Sequence, residues 1–369
     1  MSEGGTMQLP ERIYSCDDHL DIWNLPRDLW EHHLSAKYRE RGPKVVTQGD
    51  SHFWFADGAM LGPSGIKGLG DYSATRRAGI DDDGFRPSNP KLRLQDMERD
   101  GIFASVIYGP NLFGLPIADA ELKAACLAAY NDWALEFNSH APDRLCVLPV
   151  LPTHSPEAAV SELERVRQAG HRGAILSPFE ARIKDKAWER LWAAAADLEV
   201  PISFHIGHGT SMVGIAPRSW EMAAFASVGP IQLDEPLAIM IFSGALERHP
   251  RLRLVLAESG VGWLPYFVAR MDEEAEKHVA RAEDYRLRAK PSEIFHSQVL
   301  ATFEEEPLGP KLIPLVGAES CMWASDYPHP DSTFPHSREA IAHAFAGLEA
   351  DAIARVTSQN CARLYGFAK

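Results

Sequence analysis

Acidic and imidazole side chains recur in this sequence at points where a short apolar run ends. Asp17 and His19 close the first such run, and residues two apart in an extended chain point the same way. His205 ends another run in FHIGHG, and Asp326 follows a third in WASDYPHPD. Burying these groups together without a cation is unfavourable, because like charges repel and carboxylates need partners. We therefore predict that one divalent ion (zinc, manganese or iron) is bound by Asp17, His19, His205 and Asp326.

Three further residues are candidates for proton transfer beside the metal. His208 follows His205 by three positions, Glu258 ends the run LRLVLA, and His329 follows Asp326. A carboxyl or imidazole group can exchange protons with a substrate when its surroundings tune its pKa. For Glu258 three roles remain open: acid–base catalysis, which we favour; metal ligation, which would allow a second ion; and hydrogen bonding to a metal-bound histidine.

Each residue also has a structural alternative when it is taken alone. A histidine at a strand end is often only hydrogen-bonded, and a carboxylate after a strand often caps a helix. The prediction of a metal site therefore depends on the fact that several strand ends each supply a carboxylate or an imidazole.

Eight short apolar, β-branched runs are the elements that must position these residues. They alternate with longer segments that have helical periodicity, including 118–139, 156–168, 188–198, 337–345 and 350–356. This alternation predicts an α/β fold, a (β/α)8 TIM barrel whose catalytic groups lie at the C-terminal ends of the strands. An open doubly wound sheet would usually show a glycine-rich loop after its first strand, where this chain has DDHLD. The predicted strands are 13–16, 102–108, 145–150, 173–176, 202–205, 252–257, 299–303 and 321–325.

One segment, 24–91, interrupts the alternation after the first strand and is rich in glycine, proline, aspartate and aromatic residues. Because a long excursion at this end of a barrel strand usually covers the site, we interpret it as a lid; a passive surface loop or an oligomer contact is the alternative. Its aromatic residues Trp54, Phe55 and Tyr72 either face a planar acid or form the core of the insertion. The segment has no linker composition, so we predict one domain over 1–369.

The composition excludes several classes of protein. A net charge of −14 without any run of basic residues argues against nucleic-acid binding, and the absence of a long apolar run argues against a membrane span. The five cysteines are odd in number, widely spaced and without a C-x-x-C motif, which is typical of reduced thiols in a cytoplasmic protein.

Longer motifs carry a resemblance to a known family. CDDHLDIWNLPRDLW, LQDMERDGIFASVIYG, PISFHIG, LERHPRLRLVLAESGVGWLPYFVARMD and WASDYPHPDSTFPHS resemble the amidohydrolase superfamily. Within it, the sequence is similar to 2-amino-3-carboxymuconate semialdehyde decarboxylase and related aromatic acid decarboxylases. The resemblance implies a (β/α)8 barrel with a mononuclear metal held by Asp17, His19, His205 and Asp326. It also implies that His208 is the proton donor. The family's first ligand is His or Glu, where this chain has Asp17.

These observations predict a metal-dependent hydrolase or decarboxylase that acts on a small, carboxylated, cyclic substrate. An iron- or manganese-dependent oxygenase is the oxidative alternative, because carboxylate-rich histidine sites also suit that chemistry. A non-catalytic subunit of a hetero-oligomer is a third. The resemblance further implies a homo-oligomer, and we expect a dimer.

Overall fold

A computed structural model describes residues 9–66, 73–110, 115–207, 212–213, 219–279, 282 and 285–367. Eight of the described strands run parallel and match all eight runs predicted from the sequence. They are β1 (Tyr14–His19), β5 (Ala104–Tyr108), β6 (Leu145–Val147), β7 (Ala174–Ile175), β8 (Ile202–His205), β9 (Leu254–Ala257), β10 (Val299–Phe303) and β11 (Cys321–Trp323). Three antiparallel strands lie between the first two of these: β2 (Lys44–Gln48), β3 (Ser51–Ala56) and β4 (Ala59–Pro63).

Helices fill most of the connections between the parallel strands. The five helical segments predicted from the sequence are confirmed as the helices Ala120–Ser139, Pro156–Ala169, Glu189–Asp197, Ser337–Ala344 and Ala350–Ala354. Short 3₁₀ turns cover Ile22–Asn24, Lys186–Trp188, Gly229–Leu233 and Ala318–Ser320, and a π-helical turn, Arg355–Gln359, joins the last two helices. The α-helices are α1 (Leu29–His33), α2 (Ala74–Arg77), α3 (Pro90–Asp100), α4 (Ala120–Ser139), α5 (Pro156–Ala169), α6 (Glu189–Asp197), α7 (Trp220–Val228), α8 (Asp234–Phe242), α9 (Ala245–Arg248), α10 (Leu264–His278), α11 (Pro291–Gln298), α12 (Gly309–Val316), α13 (Ser337–Ala344), α14 (Ala350–Ala354) and α15 (Asn360–Leu364).

The ends of these helices follow from local side-chain chemistry. The carboxylate of Asp119 accepts hydrogen bonds from the first free N–H groups of α4, and the hydroxyl of Ser155 caps α5 in the same way. Gly170 ends α5 with a φ of 114°, a conformation that a residue with a Cβ rarely adopts. These caps determine at which residue each helix begins or ends, and so where the chain turns toward the next strand.

The parallel strands form two sheets, ordered β1-β5-β6 and β11-β10-β9-β8-β7, rather than one continuous ladder. Backbone hydrogen bonds link the sheets on both sides, and Leu151 N→Ile175 O and His19 N→Tyr327 O are among them. On one side, Ile175 N donates to Pro149 O, and on the other Asp326 N donates to Asp17 O at 3.0 Å. The observed architecture is therefore a mixed α/β fold with eight parallel strands.

Both faces of the parallel strands are buried, which explains their continuous apolar runs. The largest apolar cluster contains residues of both strands and helices, and a second, smaller cluster includes Tyr108, Cys146 and Tyr365. All five cysteines are buried and unpaired. Among the described helices, none combines the length and apolar character that a membrane crossing requires.

The segment 24–91 contains more regular structure than its sequence suggested. Strands β2, β3 and β4 form an antiparallel sheet, which the glycine-rich composition concealed. Trp54 of this sheet is fully buried, donates Nε1–H to Ile22 O at 2.9 Å and contacts Trp30 edge to face. Trp54 therefore belongs to the core. Phe55 is half-buried, and Tyr72 lies outside the described residues.

Candidate metal centre

Side chains from four parallel strands converge at the C-terminal edge of the sheets. His19 Nε2 lies 3.6 Å from Asp17 Oδ1 and 3.0 Å from Asp326 Oδ1. His205 Nε2 lies 3.4 Å from the same Asp17 oxygen. Glu258 Oε2 completes the group, at 3.4 Å from His19 Nε2 and 3.3 Å from His205 Nε2. We call these five atoms the donor cluster.

The donor cluster has the properties expected of a metal site. All five atoms are buried and lack a hydrogen-bond partner among the described residues. Buried polar atoms without partners are rare in folded proteins, and each needs a physical explanation. Two donors that bind one ion at about 2.0–2.2 Å lie roughly 3–3.6 Å apart when they are adjacent, which matches the separations in the cluster. The residues present therefore fit a divalent cation.

Two of the donors are oriented by hydrogen bonds on their other side. Asp17 Oδ2 accepts from Thr302 Oγ1 at 2.6 Å and from Glu258 N at 2.7 Å, which leaves Oδ1 to face the cluster. His205 Nδ1–H donates to Ile206 O at 2.8 Å, so its Nε2 carries the lone pair that faces the cluster. Partners of this kind fix the tautomer and orientation of metal ligands.

His329 is held between two carboxylates rather than free to meet a substrate. Its Nδ1 lies 3.1 Å from Asp326 Oδ2, and its Nε2 lies 2.8 Å from Asp21 Oδ2. Its ring stacks on His19 with centroids 3.9 Å apart. Burial lowers the pKa of His329, but Asp326 and Asp21 outweigh burial and raise that pKa well above its ordinary value. The geometry favours a protonated side chain that orients Asp326 and His19.

Glu258 and Asp326 have an unusual backbone. Their φ angles are 54° and 63°, in the left-handed region that residues with a Cβ seldom occupy. Only two other described non-glycine residues, Asp57 and Glu199, have positive φ. Such strain concentrates at functional sites because the surrounding structure must hold it in place. For Glu258, the distances to both histidines favour metal ligation over the proton transfer that its sequence position suggested.

The ionisation of the cluster reflects the competition between burial and charge. Burial lowers the pKa of His19, but the carboxylates of Asp326 and Glu258 raise it to about 10. Burial raises the pKa of Glu258, and His19, His205 and His329 bring it down to about 2. A metal ion competes with protons for these atoms, so metal binding releases protons and becomes stronger as the pH rises.

Two features of the site were missed in the sequence. Arg93 of α3 is fully buried and donates to Asp18 Oδ2 at 3.1 Å and to the backbone oxygen of His19 at 3.2 Å. No local signal predicts this pairing, because 75 positions separate Arg93 from Asp18. Glu304 follows β10, between the strands that carry Glu258 and Asp326. Burial and these neighbouring carboxylates raise its pKa well above the ordinary range. An acidic residue at that strand end was visible in VLATFEEE.

The sequence candidates therefore divide into three groups. The four predicted ligands fall in two groups that share His19: one holds Asp17, His19 and His205, and the other holds His19, Glu258, Asp326 and His329. His208 lies outside the described residues, so its predicted role as proton donor stays a prediction.

A family model described as amidohydrolase matches residues 27–367. This chain belongs to the amidohydrolase family. The family model and the decarboxylase described next confirm the resemblance to this family and to its aromatic acid decarboxylase branch. Gamma-resorcylate decarboxylase of Rhizobium radiobacter is 25% identical over 259 residues, which is 64% of this chain and 76% of that protein.

Solved structures of amidohydrolases share the fold. An amidohydrolase from Mycobacterium avium subsp. paratuberculosis K-10 superposes with a TM-score of 0.77 at 20% identity, over 96% of this chain and 99% of that one. A 5-carboxyvanillate decarboxylase from Novosphingobium aromaticivorans, with bound manganese, gives a TM-score of 0.67 at 17% identity, over 96% and 97%. The family model and gamma-resorcylate decarboxylase support a metal-dependent enzyme, and they lend no support to an oxygenase or a non-catalytic subunit.

Proposed function

We propose that this amidohydrolase is a metal-dependent decarboxylase of small aromatic carboxylic acids. The observation that carries the proposal is the donor cluster, five buried atoms without hydrogen-bond partners at the C-terminal edge of the parallel strands. Two of the three named relatives are decarboxylases, of gamma-resorcylate and of 5-carboxyvanillate, which favours decarboxylation over hydrolysis. Manganese is the preferred candidate metal, since a relative holds it; zinc and iron also suit the donors.

In this reaction the bond between the ring carbon and the carboxyl carbon breaks, and a proton must replace the carboxyl group on the ring. A bound divalent ion polarises a substrate oxygen and so stabilises the charge that develops. The chain's own residues would hold that ion through the five buried atoms of the donor cluster. Both nitrogens of His329 are engaged by carboxylates, so it is a poor proton donor. His208 therefore remains our proposed donor, from its place in the sequence.

The architecture around this site forms part of the same proposal. We infer that the eight parallel strands act as one (β/α)8 barrel, supported by the hydrogen bonds that link the two sheets. We further infer that 1–369 is one domain and that 24–91 covers the site as a lid. One metal ion satisfies the donor cluster, and we propose no second ion.

The proposed activity has a direct test. Protein loaded with Mn²⁺ should release CO₂ from at least one acid of a panel of benzoates with hydroxyl groups at the 2-, 4- and 2,6-positions. Removing the metal with a chelator should lower the rate by about 100-fold or more, and adding Mn²⁺ should restore it. CO₂ release by protein that contains no metal would contradict the proposal.

The oligomeric state is a separate expectation. We infer a homodimer from the family resemblance, with the segment 24–91 as a candidate contact. Light scattering at micromolar concentration should then give about twice the chain mass of 40.8 kDa. A mass equal to one chain would contradict the dimer and leave the proposed chemistry intact.

A further inference from the structure

Glu258 differs from the other donors in how it is held. Asp17 and His205 are anchored by hydrogen bonds on their far sides, Asp326 contacts His329, and the ring of His19 stacks on His329. Within the described part of the chain, Glu258 Oε2 has no hydrogen-bond partner that would anchor it from outside the cluster. Its side chain is 23% exposed, whereas those of the other four donors are at most 3% exposed. Glu258 is therefore the donor that can move with least disturbance.

The backbone nevertheless directs the carboxylate toward the cluster. Glu258 N donates to Asp17 Oδ2 and to Thr302 Oγ1, both at 2.7 Å, and these bonds hold its φ at 54°. From that conformation Oε2 reaches within 3.4 Å of both histidine Nε2 atoms. The main chain of Glu258 is therefore held firmly by hydrogen bonds, whereas its carboxylate is not.

The number of metal ligands that the protein supplies limits how many oxygens of a substrate can bind the ion. Manganese with oxygen and nitrogen ligands prefers about six donors in an octahedral arrangement. Five donors from the protein leave one position for a substrate oxygen. An aromatic acid that binds through one oxygen fits this position directly. An acid with a hydroxyl group on the neighbouring ring carbon can offer two oxygens, and the second oxygen has a place only if Glu258 withdraws.

We propose, on the basis of the metal site proposed above, that Glu258 is a displaceable fifth ligand that determines substrate specificity. With Glu258 in place, the site accepts aromatic acids through a single oxygen and gains little from an adjacent hydroxyl group. Gamma-resorcylate, the substrate named for one relative, carries hydroxyl groups on both carbons beside its carboxyl-bearing carbon. The substrate of this chain is therefore an aromatic acid that need not carry such a neighbouring hydroxyl group.

The test compares two isomers on the full chain loaded with Mn²⁺. Calorimetric titration gives the affinities of 2-hydroxybenzoate and 4-hydroxybenzoate, which have the same size and the same carboxylate charge. Their ratio cancels the general gain in anion affinity that follows the loss of a negative side chain. We expect a ratio within about 3-fold of unity for the wild type. In Glu258→Ala we expect 2-hydroxybenzoate to bind about 10-fold or more tightly than its isomer.

Two further variants make the result decisive. Glu258→Gln keeps the shape but is a weaker donor, so its ratio should lie between those of wild type and Glu258→Ala. Glu305→Ala removes an exposed acid after the neighbouring strand and should leave the ratio unchanged. An unchanged ratio in both Glu258 variants overturns the proposal, as does loss of Mn²⁺ from both, since Glu258 would then be an indispensable ligand. Titrations require no turnover, so failure to detect CO₂ release counts only against the proposed decarboxylase.

Discussion

Replacing His19 or His205 with alanine removes tight metal binding and lowers kcat/KM by more than about 100-fold, while the protein stays folded. Each Nε2 atom belongs to the donor cluster, at 3.6 Å and 3.4 Å from Asp17 Oδ1. Alanine leaves three carboxylates facing one another with one imidazole fewer to bind the ion. Metal content measured on the purified variants, together with the far-UV circular dichroism spectrum, gives the result.

The matched control for this prediction is His32→Ala. His32 is 66% exposed on α1, where its Nε2 lies 3.3 Å from Asp28 Oδ2. The same chemical change there should leave metal content and turnover at the wild-type level. A variant at His19 or His205 that retains full metal occupancy would show that the residue is not a ligand.

The second large effect concerns stability. Arg93→Met should lower the free energy of unfolding by about 3–5 kcal/mol, because it leaves the buried carboxylate of Asp18 without its cation. Arg93 is fully buried, and its Nη1 also supports the backbone oxygen of His19. Urea denaturation measures the change. Asp18→Asn added to Arg93→Met should recover part of the loss, since the uncompensated charge is then gone.

An exposed arginine supplies the control for this comparison. Arg355 pairs with Asp351 at 2.7 Å on the surface, and both side chains are largely solvated. Arg355→Met should change stability by about 0.5 kcal/mol or less. Suppose that Arg93→Met also lowers the free energy of unfolding by less than about 1 kcal/mol. Water or another group then stabilises the charge of Asp18, and the ion pair between Arg93 and Asp18 is not required for the stability of the site.

Much of the fold could be predicted from the sequence because it depends on local patterns. The eight parallel strands are buried on both faces, so each appears as an apolar run whose limits are visible without any partner. The helices α4 and α5 begin at Asp119 and Ser155, whose capping side chains act on the next few residues. By contrast, β2, β3 and β4 escaped prediction, because an irregular, glycine-rich composition conceals the pairing that stabilises them.

The candidate site divides in the same way. The sequence alone determined which residues follow the strands, and Asp17, His19, His205 and Asp326 could be grouped because parallel strands end at one edge. Only the tertiary structure decided that Glu258 reaches the two histidines, that His329 is occupied by two carboxylates, and that Arg93 supports Asp18. Those contacts join residues far apart in the chain, and their directions depend on backbone angles and burial that no local pattern records.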